Sequence, residues 1–222
     1  MLKTVQIAKI RKDDGRFLKN YSREVRCIER ARKSVPTFTN PRSIRISGYN
    51  VRAAFLTHKG SIRSENQDAL LVGCEVVTGD MKIYGVLNID KFPVCLVVID
   101  GMGGSRGGAA AAAILAGEFE KATCGNKFGL KANPVDDEAK LREIMHTSSD
   151  SMSRKANTNP ELAEMGATFA GVLIRESSVL AFNCGDCRVY RISQGTLERL
   201  TRDHSVLRSQ FFSRTIPLAF CL

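Results

Sequence analysis

No stretch of 18 or more consecutive apolar residues occurs in this 222-residue chain, so no membrane-spanning helix is expected. The first twenty residues carry charges throughout and lack an apolar segment, so they do not read as a secretory signal. Acidic side chains are scarce over residues 1–50, which hold 13 Lys or Arg against 4 Asp or Glu. The rest of the chain holds 20 against 19. The formal charge of +10 therefore belongs to the N-terminal segment. No second C-x-x-C and no H-x3-H accompany Cys184 and Cys187, which excludes a four-ligand structural zinc site. The pattern G-x-x-x-x-G-K-[ST] is missing as well, so the chain has no P-loop. What is present is an ordinary globular composition, with 43% hydrophobic and 25% charged residues. That supports a real core and excludes a collagen-like fibre or a small disulfide scaffold.

The seven cysteines are an odd number with no secretory signal. This pattern fits free thiols in a reducing cytoplasm. Cys184 and Cys187 sit among strand-forming residues rather than at a helix N-terminus, so no redox role is expected of them.

Residues 1–50 are polar, basic and weakly periodic, with helical turns expected around Tyr21 to Lys33 and breaks at Pro36 and Pro41. They read as a basic extension ahead of a domain at 51–222. Such an arm suits nucleic acid, anionic lipid or an acidic surface. No nucleic-acid-binding signature accompanies it, so a solvated extension is the expectation and a nucleic-acid partner is not. Within the domain, Asp68 to Val77 reads as a strand, with Met81 to Leu87 its hairpin partner across Gly79-Asp80. Val94 to Ile99 is apolar and β-branched, a buried strand ending at Asp100. Ala109 to Ala122 predicts a buried helix. Asp136 to Asn157 predicts a second, with Leu141, Ile144, Met145, Ser148 and Met152 on one face. Strands are expected at Ala167 to Ile174, Val179 to Cys184, Arg188 to Ile192 and Leu197 to Leu200. Two successive helices between groups of strands point to an α+β protein with mostly antiparallel sheets.

Four short segments carry chemistry. Asp100-Gly101-Met102-Gly103-Gly104 places a carboxylate at a strand end, where oxygen ligands suit a hard cation. Gly60-Ser61-Ile62-Arg63-Ser64-Glu65-Asn66-Gln67-Asp68 offers a guanidinium fork for phosphate and a second carboxylate. Asn183-Cys184-Gly185-Asp186-Cys187-Arg188 puts an acid at a bend, which is also what a plain hairpin would show. Leu200-Thr201-Arg202-Asp203-His204-Ser205 contains Asp, His and Ser, but a catalytic triad requires convergence in space, not in sequence.

With Met165-Gly166-Ala167-Thr168 added, the order and spacing of these segments resemble the metal-dependent protein phosphatases of the protein phosphatase 2C (PPM) family, bacterial type. The resemblance covers about residues 52–205. It implies a four-layer α-β-β-α sandwich of two antiparallel sheets flanked by helices. It also implies two Mn2+ or Mg2+ ions and a metal-bridged water that hydrolyses phosphoserine or phosphothreonine, with no protein nucleophile. Carried over by position, Asp100 bridges the metals, Gly101 offers its carbonyl, Asp68 anchors the metal-water shell and Asp186 holds a looser third ion. Arg63 holds the substrate phosphate. Met165 to Thr168 match a structural strand entry that needs no chemistry. The implied partners are phosphorylated Ser/Thr proteins, opposing a Ser/Thr kinase, and the implied location is the cytoplasm.

The departures are informative. Gln67 stands where many members have Glu, which removes a charge beside the metals. Cys187 stands where Ser is usual, so the C-x-x-C reads as drift within the motif. The family's later S-D-G-type and D-N segments are absent, and residues 206–222 do not resemble the family beyond the D-H-S motif. The expectation is a chain truncated at its C-terminus, with the C-terminal part of the fold missing. It is expected to bind Mn2+ weakly and have little activity, or to act as an inactive module that binds phosphoproteins through Arg63.

Overall fold

A computed structural model describes residues 5–8, 51–61, 63–79, 85–89, 92–125, 127–131, 133–193, 196–204 and 212–217. The expected helical turns around Tyr21 to Lys33 lie outside them. The main layer is a six-stranded antiparallel sheet. Its strands are β3 (Asp68–Val72), β4 (Glu75–Thr78), β6 (Val94–Met102), β7 (Gly166–Ile174), β8 (Ser178–Cys184) and β11 (Phe212–Pro217). They lie in the order β11-β8-β7-β6-β3-β4. A second β layer comes in two pieces. One joins β1 (Val5–Ala8), β9 (Arg188–Ser193) and β10 (Thr196–Arg199), with β9 in the middle. The other pairs β2 (Val51–Phe55) with β5 (Gly85–Ile89).

Two long helices come after β6. The run of alanines from 109 favours helix α1, which spans Gly104–Cys124. Helix α2 spans Pro134–Thr158. It starts where Asn133 accepts a side-chain bond from the Asp136 amide, with Pro134 in the first turn, where its missing N–H costs nothing. Asp136 and Asp137 sit in the same turn, favourable to the macrodipole. Leu141, Ile144 and Ser148 are buried and Met145 and Met152 partly so, as the helical spacing predicts.

Strand alternation sorts the main sheet's side chains into two cores. Ala69, Leu71, Cys95, Val97, Ile99, Phe169, Leu173, Leu180 and Phe182 face the helices. There Phe119 of α1 meets Phe169 and Phe182, with ring centroids 5.3 and 5.8 Å away. Such aromatic pairs add about 0.5–1.5 kcal/mol each beyond buried area. On the opposite face, Ala170, Val172, Ile174, Val179 and Ala181 pack with Cys187, Val189 and Leu200 beneath the second β layer. The α+β class and the packing of two antiparallel layers with helices are as expected. Both α1 and α2 lie on one side, and a helical layer over the second sheet is not among the described residues.

Several local expectations are corrected. The segment Asp68 to Val77 is a hairpin, not one strand: Gly73, at φ 67°, permits a turn that sends Glu75–Thr78 back along β3. Residues 85–89 pair with β2 rather than closing a hairpin across Gly79-Asp80. β6 does not stop before Asp100 but runs on to Met102, because β7 keeps pairing with it through Met102↔Gly166. The Asn183 to Arg188 segment is not a hairpin: β8 belongs to the main sheet and β9 to the second, so the chain turns a corner between layers. Residues 5–8, expected within an extension, pair with β9.

Cysteine chemistry differs too. The turn after β3 and the last residue of α1 bring Cys74 and Cys124 together, with Cα atoms 5.6 Å apart, and a disulfide joins them. Both are exposed. Cys95, Cys184 and Cys187 are not disulfide-bonded, and burial pushes the Cys95 thiol up to about 12. Cys184 packs toward the helix-side core and Cys187 toward the opposite one, so the C-x-x-C pair straddles the sheet.

Candidate active site

The glycine-rich turn at the end of β6 lies where three strands finish together. Asp100 is the register partner of Asp68 on β3 and of Thr168 on β7. Directly opposed residues share a face, with Cα atoms about 4.5–5.5 Å apart. Asp68, Asp100 and Thr168 therefore form a row on the face away from α1, each half-buried. Thr168 extends the row to the corner after β8, where its Oγ1 donates to Asp186 Oδ1 at 3.4 Å and lies 3.2 Å from Cys187 Sγ. Asp186 itself is exposed.

Backbone contact fixes the base of this row. A Cβ on Gly101 would stand 1.9 Å from the carbonyl oxygen of Gly108 in α1 and 2.6 Å from that of Gln67. Only glycine lets the strand and helix approach this closely. The Gly101 amide donates to the Gln67 carbonyl at 3.1 Å. The Gly101 carbonyl oxygen faces α1, 2.9 Å from where a Cβ on Gly108 would lie.

The Arg63 loop is tied to the same point. Arg63 is exposed and donates through Nη1 to Gln67 Oε1. Gln67 Nε2 donates to the Gly104 carbonyl at 2.6 Å. Next to it, buried Asn66 donates to Thr57 Oγ1 at 2.6 Å and to the Gly79 carbonyl at 2.9 Å, and accepts from the Asp68 amide at 3.1 Å.

The D-H-S segment serves the corner rather than a triad. The Asp203 carboxylate takes Arg188 in a two-pronged pair, which raises the guanidinium's pKa. His204 Nδ1 accepts from the Gly185 amide at 3.0 Å, and the His204 amide donates to the Gly185 carbonyl at 3.0 Å. Burial holds the His204 imidazole below its usual range, against an opposing pull from Asp203. Ser205 lies outside the described residues. Asn183, fully buried, donates through Nδ2 to the Arg202 carbonyl at 2.8 Å.

Of the residues named from the sequence, Asp68 and Asp100 face each other and Gly101 adjoins them. Arg63 is attached through Gln67, and Asp186 through Thr168. From the sequence Thr168 is only part of a strand entry; its place in the row shows once the β6–β7 register is known. For cations, the described residues offer two opposed carboxylates and a more distant third. No three His, Cys, Asp or Glu side chains among them converge as metal ligands. That donor set fits a loosely held divalent cation and does not fit two tightly held ones.

A family model described as Protein phosphatase 2C matches residues 83–217. The chain belongs to this family. The match runs past residue 205 through β11, which pairs with β8 from Phe212↔Asn183 to Pro217↔Ser178. The expectation that the tail after 205 is unlike the family is thereby corrected as far as residue 217. The matched segment starts after the Arg63–Asp68 motif.

The serine/threonine phosphatase stp of Listeria welshimeri is 30% identical over 158 residues, covering 71% of this chain and 56% of that protein. The chain thus spans about half the length of the curated relatives it matches. Among solved structures, the serine/threonine phosphatase Stp1 of Staphylococcus aureus superposes with a TM-score of 0.57 at 23% identity, over 75% of this chain and 71% of that one. The catalytic domain of the serine threonine protein phosphatase PstP in complex with two manganese ions gives 0.56 at 17% identity, over 76% and 72%. At these identities the superpositions carry the protein phosphatase 2C fold alone.

Proposed function

We propose that this chain serves hydrolysis of phosphoserine or phosphothreonine on proteins, opposing a Ser/Thr kinase in the cytoplasm. The observation that carries this reading is the opposed Asp68–Asp100 pair at the sheet end, with the Arg63 loop tied to the same glycine turn. Family membership and the two manganese ions of the PstP structure support it. Among the described residues no helix is long and apolar enough to cross a membrane. In this reading residues 51–222 make up the phosphatase-like unit, and of the basic segment at 1–50 residues 5–8 add a strand to it beside β9.

In this reading Arg63 binds the substrate phosphate through its planar fork. Asp100 and Asp68 would hold Mn2+ or Mg2+, the Gly101 carbonyl, turned toward α1, would serve it through water, and Asp186 would hold a further ion loosely. When bound, a divalent cation would supply a water of lowered pKa and positive charge against the phosphoryl oxygens. The remaining work is positional. The β3–β6–β7 register keeps the two carboxylates opposed, and the Gly101–Gly108 contact prevents the turn from shifting.

A second reading has its own observation: among the described residues, too few ligating side chains converge for a tight metal pair. It makes the chain an inactive module that binds phosphoproteins through Arg63. Mn2+-dependent hydrolysis of p-nitrophenyl phosphate and of a phosphothreonine peptide separates the two. Turnover abolished by Asp100→Asn establishes the enzyme. Folded protein that binds the phosphopeptide, loses it in Arg63→Ala and shows no turnover establishes the module.

A further inference from the structure

Gln67 is buried beside the exposed Arg63, at 7% exposure, and its two amide atoms do different jobs. Oε1 accepts from the Arg63 guanidinium. Nε2 donates to the Gly104 carbonyl, in the first turn of α1, at 2.6 Å, and lies 3.5 Å from Glu65 Oε1. Its backbone carbonyl accepts from the Gly101 amide, beside Asp100. One residue therefore joins the Arg63 loop, the end of β6 and the start of α1. We propose that Gln67 is the positioning residue of the phosphate site, its side-chain amide holding the Arg63 guanidinium at a fixed place beside the Asp68–Asp100 row. The proposal rests on the functional reading in which Arg63 takes the phosphate.

Only an amide satisfies both contacts. A carboxylate at position 67 accepts from Arg63 but has no hydrogen for the Gly104 carbonyl, so two oxygens would face each other. It would also set a negative charge against the guanidinium and so weaken the attraction for the phosphate. A thioether makes neither bond. Gln67 takes only one of the five N–H donors of the fork, so the rest can meet a phosphate while the long side chain is already ordered. Holding an exposed arginine in its bound position removes much of the rotamer entropy that binding would otherwise cost. Glutamine here thus places the arginine and leaves its charge uncompensated, which accounts for an uncharged residue where an acid is common.

The test is inorganic phosphate binding by the full 222-residue chain, monitored by 31P NMR into the millimolar range, with thermal unfolding of each variant. Arg63→Ala is expected to weaken binding by roughly tenfold or more, and Gln67→Met and Gln67→Glu by roughly three- to tenfold. Gln67→Glu also has a signature that a structural role would not produce. As pH falls through the carboxyl's pKa, which the Arg63 guanidinium holds below the free value of about 4.3, the neutral acid both donates and accepts, so its affinity relative to the wild type at the same pH climbs back. Gln67→Met shows no such recovery. If Arg63→Ala weakens binding while both Gln67 variants match the wild type, the positioning role is overturned and the phosphate site stands. If Arg63→Ala binds like the wild type, or the wild type binds no phosphate, the phosphate site itself is overturned and the proposal falls with it. Should Gln67→Met unfold, the pH recovery of Gln67→Glu, compared with wild type at each pH, decides.

Discussion

At one end of the six-stranded sheet, Asp68, Asp100 and Thr168 stand side by side above a glycine contact. At the other end of β7, seven residues and about 24 Å from Thr168, Arg175 is fully buried and its Nη2 donates to Asp137 Oδ1 at 2.6 Å. Its Nε donates to the Gly129 carbonyl at 2.7 Å. Arg175 Nη1 and Asp137 Oδ2 have no partner among the described residues. Nearby, the disulfide fastens the β3–β4 turn to the end of α1. Both ends thus bring charges together, yet they differ in what surrounds them. The far pair is sealed and serves to lock α2 and its loop onto the sheet. The near pair of like charges is only half-buried. Two carboxylates side by side repel, and a cation between them would relieve that repulsion. The comparison separates a sealed, fold-holding end from a half-buried end to which the proposed function assigns the ligand.

The largest expected effect strikes the near end. In Gly101→Ala the new Cβ meets backbone of both α1 and the Arg63 loop, at 1.9 and 2.6 Å. No side chain can swing away to relieve it. We expect a loss above about 4 kcal/mol in urea unfolding, or no folded protein. A variant of near wild-type stability would show that β6 and α1 are not in close contact.

Next is Asp137→Ala, which leaves a guanidinium buried with one backbone acceptor. A loss of about 3–5 kcal/mol is expected, and pairing Asp137→Leu with Arg175→Met should recover most of it. Phosphate affinity of the folded fraction should not change. A change there would break the division between the two ends.

Reducing the disulfide comes third. It closes a span of 50 residues, so chain entropy suggests up to about 4 kcal/mol. Dithiothreitol should lower the unfolding temperature of the wild type and leave Cys74→Ser unmoved. Equal behaviour of both proteins would show that the two thiols are not bonded.

How much of this is legible in the sequence depends on the distance between partners along the chain. The alanine run and the period of Leu141, Ile144 and Ser148 announce α1 and α2, because helices are local. The strands from 166 to 199 are legible for the same reason, and so are the strings around Arg63, Asp100 and Asp186. Pairings are not. Arg175–Asp137 and Cys74–Cys124 are 38 and 50 residues apart, and neither partner carries a local mark of the other. The continuation of β6 through Asp100 is hidden because glycine ordinarily signals a turn, whereas here strand pairing with β7 overrides it. The corner after Cys184 looks like a hairpin because Gly-Asp suits both; only the sheet to which β9 belongs decides.

The smallest effect tests the corner that carries Asp186. His204 Nδ1 can accept from the Gly185 amide only while it lacks a proton. Burial holds its folded-state pKa below the unfolded value of 6.5. The folded state therefore binds fewer protons than the unfolded state between those two values. Stability from this contact is complete above about pH 6.5 and is lost as pH falls through the folded pKa. The Asp203 carboxylate opposes the shift and the side chain is only partly shielded. The change is accordingly modest, no more than about 2 °C in unfolding temperature. Comparing wild type with His204→Asn from about pH 7.5 to 5.5 isolates it, since all other titrating groups are shared. The gap between the two proteins should narrow as the pH falls. A constant gap would mean that the corner is held by the Arg188–Asp203 pair and Asn183 alone, and that His204 contributes only its backbone bond to Gly185.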